Sequence, residues 1–489
     1  YRPKRRTRAM IAKERGLEPL ADTLLLQLSR AKTPEELAAG FVDPDKGVGT
    51  AEDALQGAMD IVAERISDDP AVRTRLKQLY HRDCVVQTRQ SGEEDSVYRM
   101  YYDHREPLRL MPSHRVLAMN RGEKEGFLKV SLAVPEGSAQ RVIQQDYVAH
   151  TGSLATEYIR RACEDAYTRL IAPSLDNELR ADLTQRAQTA AIRVFALNLK
   201  PLLMQPPVRG RVAIGLDPGI RTGCKVAVVD ATGRVLDTAV IYPVFKGAAA
   251  VQTAKETVKR LIRKHQVSIA AIGNGTAGRE TEQFFVDVMR EMNLGDDLGY
   301  VVVSESGASV YSASKLAAEE LPQYDVNIRS AISIARRLQD PLAELVKIDP
   351  KAIGVGQYQH DMNQKKLDGA LSGVVEKCVN AVGVDLNTAS APLLSHIAGI
   401  SASIARNIVS WREENGRFEE RSQLLKVKGL GPRAYEQCAG FLRIRDGRNP
   451  LDNTAVHPES YEAVKTLAGL LQVPMEQAEL QKKLAAKNG

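Results

Sequence analysis

The sequence contains the segment RVAIGLDPGIRTGCKVAVVDATGRVLDTAVIYPV at residues 211–244. This segment contains three apolar runs rich in β-branched residues, and short turns at residues 218–223 and 231–233 separate them. Runs of this composition between Gly, Pro and Asp residues are typical of strands, and short turns join strands that pair antiparallel. The stretch therefore predicts a three-stranded antiparallel meander.

Helical and apolar runs alternate after this meander. Helical patterns cover residues 249–265, 279–292 and 310–320, and the runs VSIAAIG and YVVVSE lie between them. This alternation indicates parallel strands added through crossover helices. A meander followed by such units is the element order of an RNase-H-like domain, which we assign to residues 206–340.

The rest of the chain is predicted to be mainly helical, so the fold class is a multidomain, mainly α protein with one α/β domain. Residues 1–205 form a helical N-terminal scaffold with a small strand insertion. Helices begin after Thr33 and Thr50, and Pro206 and Pro207 mark the boundary at which the scaffold ends. The remaining predicted regions are connecting helices (341–390), a tandem helix-hairpin-helix domain (391–450) and a C-terminal helical appendage (451–489).

Residues 391–450 contain two similar units, each predicted to consist of a helix, a glycine-bearing hairpin and a second helix. The first hairpin is Ala398-Gly399-Ile400 and the second hairpin is Gly429-Leu430-Gly431. Glycine lets a hairpin backbone approach a phosphate closely, and the amides that start the next helix point towards the anion. The pattern predicts binding to the nucleic-acid backbone, with little preference for base sequence.

The candidate nucleic-acid contacts combine hairpin backbone with nearby cations, whose attraction to phosphates is weakened by salt. Ser401 stands where a second glycine is expected in the first unit, so the second hairpin is the stronger candidate. An alternative interpretation makes the hairpins structural or protein-docking elements. The candidate residues are Gly399, Ser401, Lys426, Lys428, Gly429, Gly431 and Arg433.

Acidic residues at strand ends raise a second hypothesis, a metal-dependent nuclease or resolvase. Asp217 and Glu305, which we call the acid pair, end two predicted strands, and Glu280 is a third candidate. A two-metal nuclease needs three or four converging acids, and Mg²⁺ would be required only if this site were active. The start of the helix predicted at 328–338 carries no carboxylate, and Asp325 and Asp340 flank it. The set is incomplete, so we expect no enzyme and no cofactor.

Two further phosphate-binding interpretations stay open. Residues 273–278, GNGTAG, match the dinucleotide fingerprint G-x-G-x-x-G between a predicted strand and helix. The antiparallel start of the sheet and the lack of a ribose-binding acid after the next strand argue against this interpretation. The run GLDPGIRTG at 215–223 also resembles the first phosphate loop of actin-like ATPases.

Composition limits the class of protein. A chain of 489 residues is too long for one core, and its net charge of +6 and pI of about 8.9 are compatible with polyanion binding. Five scattered cysteines predict neither disulfides nor zinc sites, and no apolar run is long enough to cross a bilayer. We expect a cytoplasmic protein that does not bind membranes. A basic N-terminal segment either contacts phosphates or forms a solvated helix face; its cations are Arg2, Lys4, Arg5, Arg6, Arg8, Lys13 and Arg15.

Specific runs along the chain resemble the bacterial Tex proteins, or transcription accessory proteins, which are related to the eukaryotic elongation factor Spt6. The runs are YRPKRRTRAMIAKERGLEPLA (1–21), GLDPGIRTGCKVAVVD (215–230), IGNGTAGRETEQF (272–284), SESGASVYSAS (304–314), ARRLQDPLAELVKIDPKAIGVGQYQHD (335–361) and VKGLGPRAYEQCAGFLRI (427–444). The resemblance implies an elongated helical scaffold, a YqgF-type RNase-H-like domain without nuclease activity, and tandem hairpins. It also implies a C-terminal OB-fold RNA-binding domain, whose five-stranded pattern does not follow residue 451.

The resulting functional hypothesis is a non-catalytic, sequence-independent DNA- or RNA-binding factor that acts in transcription. The resemblance suggests RNA polymerase or the ribosome as a partner. A pure interaction scaffold that docks the transcription or translation machinery is the alternative in which nucleic-acid binding is incidental.

Overall fold

The computed structural model describes residues 6–28, 32–149, 152–244, 246–354, 356–445 and 447–471. The first three cations of the basic N-terminal segment and residues 472–489 of the predicted appendage lie outside the described residues. The described chain forms two compact units. The first comprises residues up to Ala191 together with Tyr358–Met362, and the second comprises Ile192–Gln357 together with the residues from Asn363 onwards.

The first unit is built of helices and one small sheet. Thr33 and Thr50 each cap a helix through a capping box, at the two starts that the sequence predicts. The three strands pair antiparallel in the order β2-β1-β3. The elements are α1 (Arg8–Glu14), α2 (Glu18–Leu26), α3 (Pro34–Ala39), α4 (Ala51–Asp68), α5 (Pro70–Asp83), β1 (Val85–Gln90), β2 (Asp103–Pro107), α6 (Ser113–Lys124), β3 (Leu128–Ala133), α7 (Ser138–Tyr147), α8 (Thr156–Asp165) and α9 (Ala172–Leu203), of which α9 continues into the second unit.

The second unit begins with the RNase-H-like domain, and the predicted element order is confirmed. Its sheet has the order β6-β5-β4-β7-β8, with β4, β5 and β6 antiparallel and β7 and β8 parallel to β4. The elements are β4 (Ala213–Asp217), β5 (Cys224–Val229), β6 (Val235–Ile241), α10 (Ala248–His265), β7 (Ile269–Gly273), α11 (Gly278–Met292), β8 (Gly299–Val303), α12 (Ala308–Ser312), α13 (Lys315–Glu320), α14 (Val326–Gln339) and α15 (Pro341–Leu345).

One helix of this domain differs from its prediction. The single helix expected over 310–320 is divided into α12 and α13. Ser314 interrupts it, because its hydroxyl accepts a hydrogen bond from the Ala317 amide and so caps a new helix.

Helices cover both faces of the five-stranded sheet. Alternate residues of the central strands pack on one side against α10 and α11 and on the other against α14. Gly215 allows α14 to lie directly on β4, since a Cβ there would be 2.3 Å from the Ala331 carbonyl oxygen. This packing fixes the end of β4, where Asp217 is the last residue.

The remaining elements are a connecting helix, the helix-hairpin-helix region and the helix that follows it. The first helix of each unit is short: α17 is a single turn, and the second unit opens with a 3₁₀ helix, Arg421–Lys426. The elements are α16 (Gln364–Val382), β9 (Val384–Asp385), α17 (Ala391–Leu394), α18 (Ala402–Asn415), α19 (Pro432–Cys438), β10 (Leu442–Arg443) and α20 (Tyr461–Leu471).

A parallel pairing of β9 and β10 brings together the two ends of the hairpin region. Behind the second hairpin, the guanidinium of Arg421 is fully buried. It donates hydrogen bonds to the Leu442 and Thr454 carbonyls and to the Tyr461 hydroxyl. Because a buried charge is costly unless it is hydrogen-bonded, these contacts fix the second unit against the segment that follows it.

Candidate nucleic-acid interface

The two hairpins are related by an offset of thirty residues, and each contacts the second helix of the other unit. Gly399 lies against Ala434 and Gln437 of α19, whereas Gly429 lies near Ile404 and Asn407 of α18. Each contact position in one unit is therefore the repeat counterpart of a contact position in the other. The two hairpins differ in what surrounds them.

The first hairpin is crowded. Gly399 has φ +79°, and a Cβ there would lie 2.8 Å from Cβ of Gln437 and 3.1 Å from the Ala434 carbonyl oxygen. The Ala398 amide already donates to the Asn380 side chain at 3.4 Å. Ser401 caps α18 by accepting a hydrogen bond from the Ile404 amide. The hairpin backbone is thus occupied by contacts within the protein.

The second hairpin is open. Gly429 has φ +85°, and the nearest atoms to a Cβ there would be at 3.8 and 3.9 Å; nothing lies within 4 Å of a Cβ at Gly431. Both glycines are exposed. Asn407 holds the hairpin from behind, since its side-chain amide donates to the Lys428 carbonyl at 2.8 Å. This backbone is fixed in place and accessible to a ligand.

Exposed cations flank the second hairpin. Lys426, Lys428 and Arg433 are exposed, and none of them has an ion-pair partner in the described part of the chain. The repeat counterparts of Lys428 and Arg433 in the first unit are Ala398 and Ser403, which carry no charge. The region 391–450 has ten Lys and Arg against six Asp and Glu, so a local positive charge accompanies the open hairpin.

The helix after the second hairpin contributes less than the sequence suggests. α19 has only seven residues, and Pro432 is its first, so few free amides and a small dipole are available. The anion-binding capacity of the second hairpin therefore depends mainly on its exposed backbone and on the side chains of Lys428 and Arg433.

The acid pair lies in the RNase-H-like domain. Asp217 ends β4, and its Cα pairs with that of Lys225 on β5. The pKa of Asp217 is raised to about 6, chiefly because burial disfavours its charge. The charge of Glu305 adds to this shift, while Lys225 and Arg337 oppose it. The structure therefore brings the acid pair together, and two cations accompany it.

Glu305 follows β8 and is held by neighbouring backbone. Its amide donates to Oδ1 of Asn274 at 3.1 Å, and its carboxylate fills the space beside Gly273 and Gly275. A Cβ at Gly273 would be 2.9 Å from Glu305 Oε2 and 2.9 Å from Pro218 Cδ. Two glycines of the G-x-G-x-x-G run thus make room for a carboxylate of the protein itself, and a dinucleotide phosphate would meet that carboxylate.

Lys225 and Arg337 are both buried, at 7% and 3% exposure. Lys225 Nζ donates to the Gly223 carbonyl at 2.9 Å and to the Thr222 hydroxyl. Arg337 Nη1 donates to the carbonyls of Ser304 and Ser306 at 2.7 and 2.8 Å. Burial lowers the pKa of the Arg337 guanidinium, and the charges of Glu344, Glu305 and Asp217 oppose that shift.

The other candidate acids do not complete a metal site. Glu280 is exposed in the first turn of α11 and is not among the charges that shift Asp217. Asp325 caps α14, and Asp340 caps α15 through the Ala343 amide. No group of three or more His, Cys, Asp or Glu able to hold a metal occurs among the described residues. Two carboxylates with two buried cations do not fit a pair of Mg²⁺ ions.

Four family models match the chain. They are described as Tex central region-like over residues 29–195, Tex protein YqgF-like domain over 211–339, helix-hairpin-helix motif over 379–443 and HHH domain over 449–488. The chain is 46% identical over 472 residues to the "Transcriptional accessory protein Tex" of Neisseria gonorrhoeae, covering 95% of this chain and 61% of that protein. The chain belongs to the Tex family.

Other relatives of this Tex chain extend the comparison. "Uncharacterized protein YdcI" of Bacillus subtilis is 47% identical over 491 residues, covering 99% of the chain and 68% of that protein. The human "S1 RNA-binding domain-containing protein 1" is 38% identical over 522 residues, covering 93% of the chain and 52% of that protein. The chain thus spans about half to two thirds of the length of these relatives.

Membership of the Tex family confirms the recognition made from the sequence, the RNase-H-like domain and the tandem helix-hairpin-helix motifs. The predicted helical appendage overlaps the HHH domain model at 449–488, of which residues 472–488 lie outside the described part. In the part of this Tex chain that the structure describes, no helix is long and apolar enough to cross a membrane.

Sequence reasoning missed four residues of these sites. Lys225 and Arg337 are charged residues in strand and helix patterns, and only the cross-strand register of β4 and β5 could have indicated Lys225 beside Asp217. Asn407 and Gln437 occupy equivalent places in the thirty-residue repeat, and aligning the two units would have identified both.

Proposed function

We propose that this chain is a non-catalytic scaffold that binds the backbone of DNA or RNA without reading base sequence, through the second hairpin. The observation that carries the proposal is an exposed, fixed hairpin backbone flanked by three cations without ion-pair partners among the described residues. Backbone amides and cations of this kind contact phosphates and sugars, which are the same for every base sequence.

The family relationship supports a role in transcription. A relative is named "Transcriptional accessory protein Tex", and another is named for an S1 RNA-binding domain. We infer that the chain binds nucleic acid while associated with the transcription machinery, with RNA polymerase as the partner to test first and the ribosome as the second.

The test of the interface is a charge reversal with a matched control. The variant Lys428→Glu/Arg433→Glu should bind single-stranded RNA and double-stranded DNA at least about tenfold more weakly at moderate salt, because two attractive phosphate contacts become repulsive. The control Arg290→Glu/Lys315→Glu reverses two exposed cations on α11 and α13 and should bind nearly as well as the wild type.

Fluorescence anisotropy with labelled probes of unrelated base sequence measures both variants. Equal weakening of all probes supports backbone recognition. An unchanged affinity in the hairpin variant, or an equal loss in the control, would contradict a contact surface at the second hairpin. Loss for one probe sequence only would contradict sequence-independent binding.

The acid pair is proposed to have no catalytic role. Its donors do not fit two Mg²⁺ ions, since two carboxylates lie beside two buried cations. Incubation of the full chain with linear, branched and single-stranded substrates in Mg²⁺ or Mn²⁺ should leave them intact. Cleavage that is abolished by Asp217→Asn would establish the nuclease instead.

A further inference from the structure

The acid pair and its two cations form a set of four neighbouring charged groups. Lys225 lies directly opposite Asp217 in the β4–β5 pairing. Arg337 donates to the carbonyls of Ser304 and Ser306, the residues on either side of Glu305. Each acid thus has a buried cation fixed to the backbone beside it, and Arg337 also feels the charge of the buried Glu344 carboxylate.

Neither cation can easily leave this set. Lys225 is tied to the turn after β4 by the Gly223 carbonyl, and Arg337 is 3% exposed. Displacing a buried cation towards solvent requires breaking these hydrogen bonds and opening the packing between α14 and the strands. The cations are therefore built into the site and do not behave as mobile counterions.

Unsatisfied atoms remain inside the set. Oε2 of Glu305 and Nε and Nη2 of Arg337 are buried and have no hydrogen-bond partner among the described residues. The carboxylate of Glu305 is also confined by the spaces at Gly273 and Gly275. The carboxylate is therefore held in place with one oxygen that accepts no hydrogen bond. The positive charge of Arg337 offsets the negative charge of this carboxylate.

A divalent cation brought to this place would meet two like charges in a medium of low dielectric, where repulsion is much stronger than in water. Removing one of them would leave the acid pair with a net negative charge and free carboxylate oxygens, which are the ligands that Mg²⁺ and Mn²⁺ take.

We propose that Lys225 and Arg337 exclude divalent metal from the acid pair, and that replacing either cation with a neutral side chain opens a Mn²⁺ site that depends on Asp217. The proposal rests on the non-catalytic part of the proposed function. Lys225 and Arg337 then supply the positive charge that bound metal ions would otherwise supply beside the acid pair.

The test measures Mn²⁺ binding to the full chain by the loss of the free-ion signal in electron paramagnetic resonance. The proteins are the wild type, Arg337→Gln and Lys225→Gln, each with and without Asp217→Asn. Exposed carboxylates also bind Mn²⁺ weakly, so the readout is the binding that Asp217→Asn removes. Circular dichroism and thermal melts establish that each variant is folded.

The wild type should show no Asp217-dependent binding, and each folded cation variant should gain about one Mn²⁺ per chain in the low millimolar range or below. Asp217-dependent binding by the wild type would overturn the proposal. A folded cation variant that gains no such binding would also overturn it.

If Arg337→Gln fails to fold because it loses the Ser304 and Ser306 contacts, Lys225→Gln decides the outcome. The Mn²⁺ titration of the wild type tests the proposal whether or not Arg337→Gln folds. The readout involves no nucleic acid, so its failure is distinguishable from failure of the hairpin interface, which is measured by probe affinity.

Discussion

The two hairpins come from the same repeat, yet only one of them presents its backbone to a ligand. In the first, Gln437 and Ala434 crowd Gly399, and Asn380 occupies the Ala398 amide. In the second, Gly429 has free space around it and cations on both sides. The comparison shows that the helix-hairpin-helix pattern defines a backbone shape, whereas the surrounding side chains decide whether that shape is a structural joint or a binding site.

The largest expected contrast comes from adding a Cβ to each hairpin glycine. Gly399→Ala should lower the free energy of unfolding by about 2 to 3 kcal/mol, because the left-handed φ is unfavourable and the new atom clashes with Gln437. Gly429→Ala should cost only about 1 kcal/mol, since only its φ is unfavourable. Urea denaturation monitored by Trp411, the single tryptophan of the chain and a residue of α18, reports on this region.

The affinity for nucleic acid should respond to these two substitutions in the opposite order. Gly429→Ala should weaken binding several-fold, whereas folded Gly399→Ala should bind as the wild type does. A substitution at a structural joint mainly lowers stability, whereas a substitution at a binding site mainly lowers affinity. Equal effects of both substitutions on affinity would show that the two hairpins bind alike, which the surroundings of Gly399 do not allow.

Burial of the acid pair predicts a pH-dependent stability. The pKa of Asp217 is about 6 in the folded protein and about 3.8 in an unfolded chain. The stabilisation that protonation provides is complete below about pH 4 and is lost as pH rises through about 6. Asp217→Asn keeps this position neutral, so its free energy of unfolding should exceed that of the wild type by about 3 kcal/mol near pH 8 and by little near pH 4.

Chemical denaturation at several pH values measures this difference. The matched control is Glu280→Gln, a neutral substitution of an exposed acid that lies outside the acid pair. A difference that does not change with pH, or one that appears equally in the control, would contradict the assigned burial of Asp217.

The smallest expected effect comes from giving the first hairpin the charges of the second. Ala398→Lys with Ser403→Arg places cations at the repeat counterparts of Lys428 and Arg433. Affinity should rise less than about threefold, because long-range attraction increases while the crowded backbone stays closed. Calorimetric titration with a short duplex measures the change, and a gain of tenfold or more would mean that charge alone decides which hairpin binds.

Much of the fold could be predicted because it depends on local periodicity. The β-branched runs at 211–244 and the alternation after them determine the five-stranded sheet, and Thr33 and Thr50 mark helix starts through capping. The split between α12 and α13 escaped prediction because a single serine cap competes with a continuous helical pattern.

The sites were predicted less completely, because their character depends on contacts between distant residues. Asp217 and Glu305 could be placed at strand ends, but Arg337 reaches them from α14, more than thirty residues beyond Glu305. In the same way, the sequence shows Ser401 in the first unit but not that Gln437 closes Gly399. Burial and crowding of this kind arise only when the elements pack.

The salt dependence of binding to a duplex reports directly on phosphate contacts made by the second hairpin. For the wild type and for Lys428→Ala/Arg433→Ala, the logarithm of the association constant is plotted against the logarithm of the salt concentration. Each phosphate contact contributes a slope of about −0.9 on double-stranded DNA, so the variant should have a slope that is shallower by about 1.8. Parallel lines would contradict the claim that the second hairpin binds the nucleic-acid backbone.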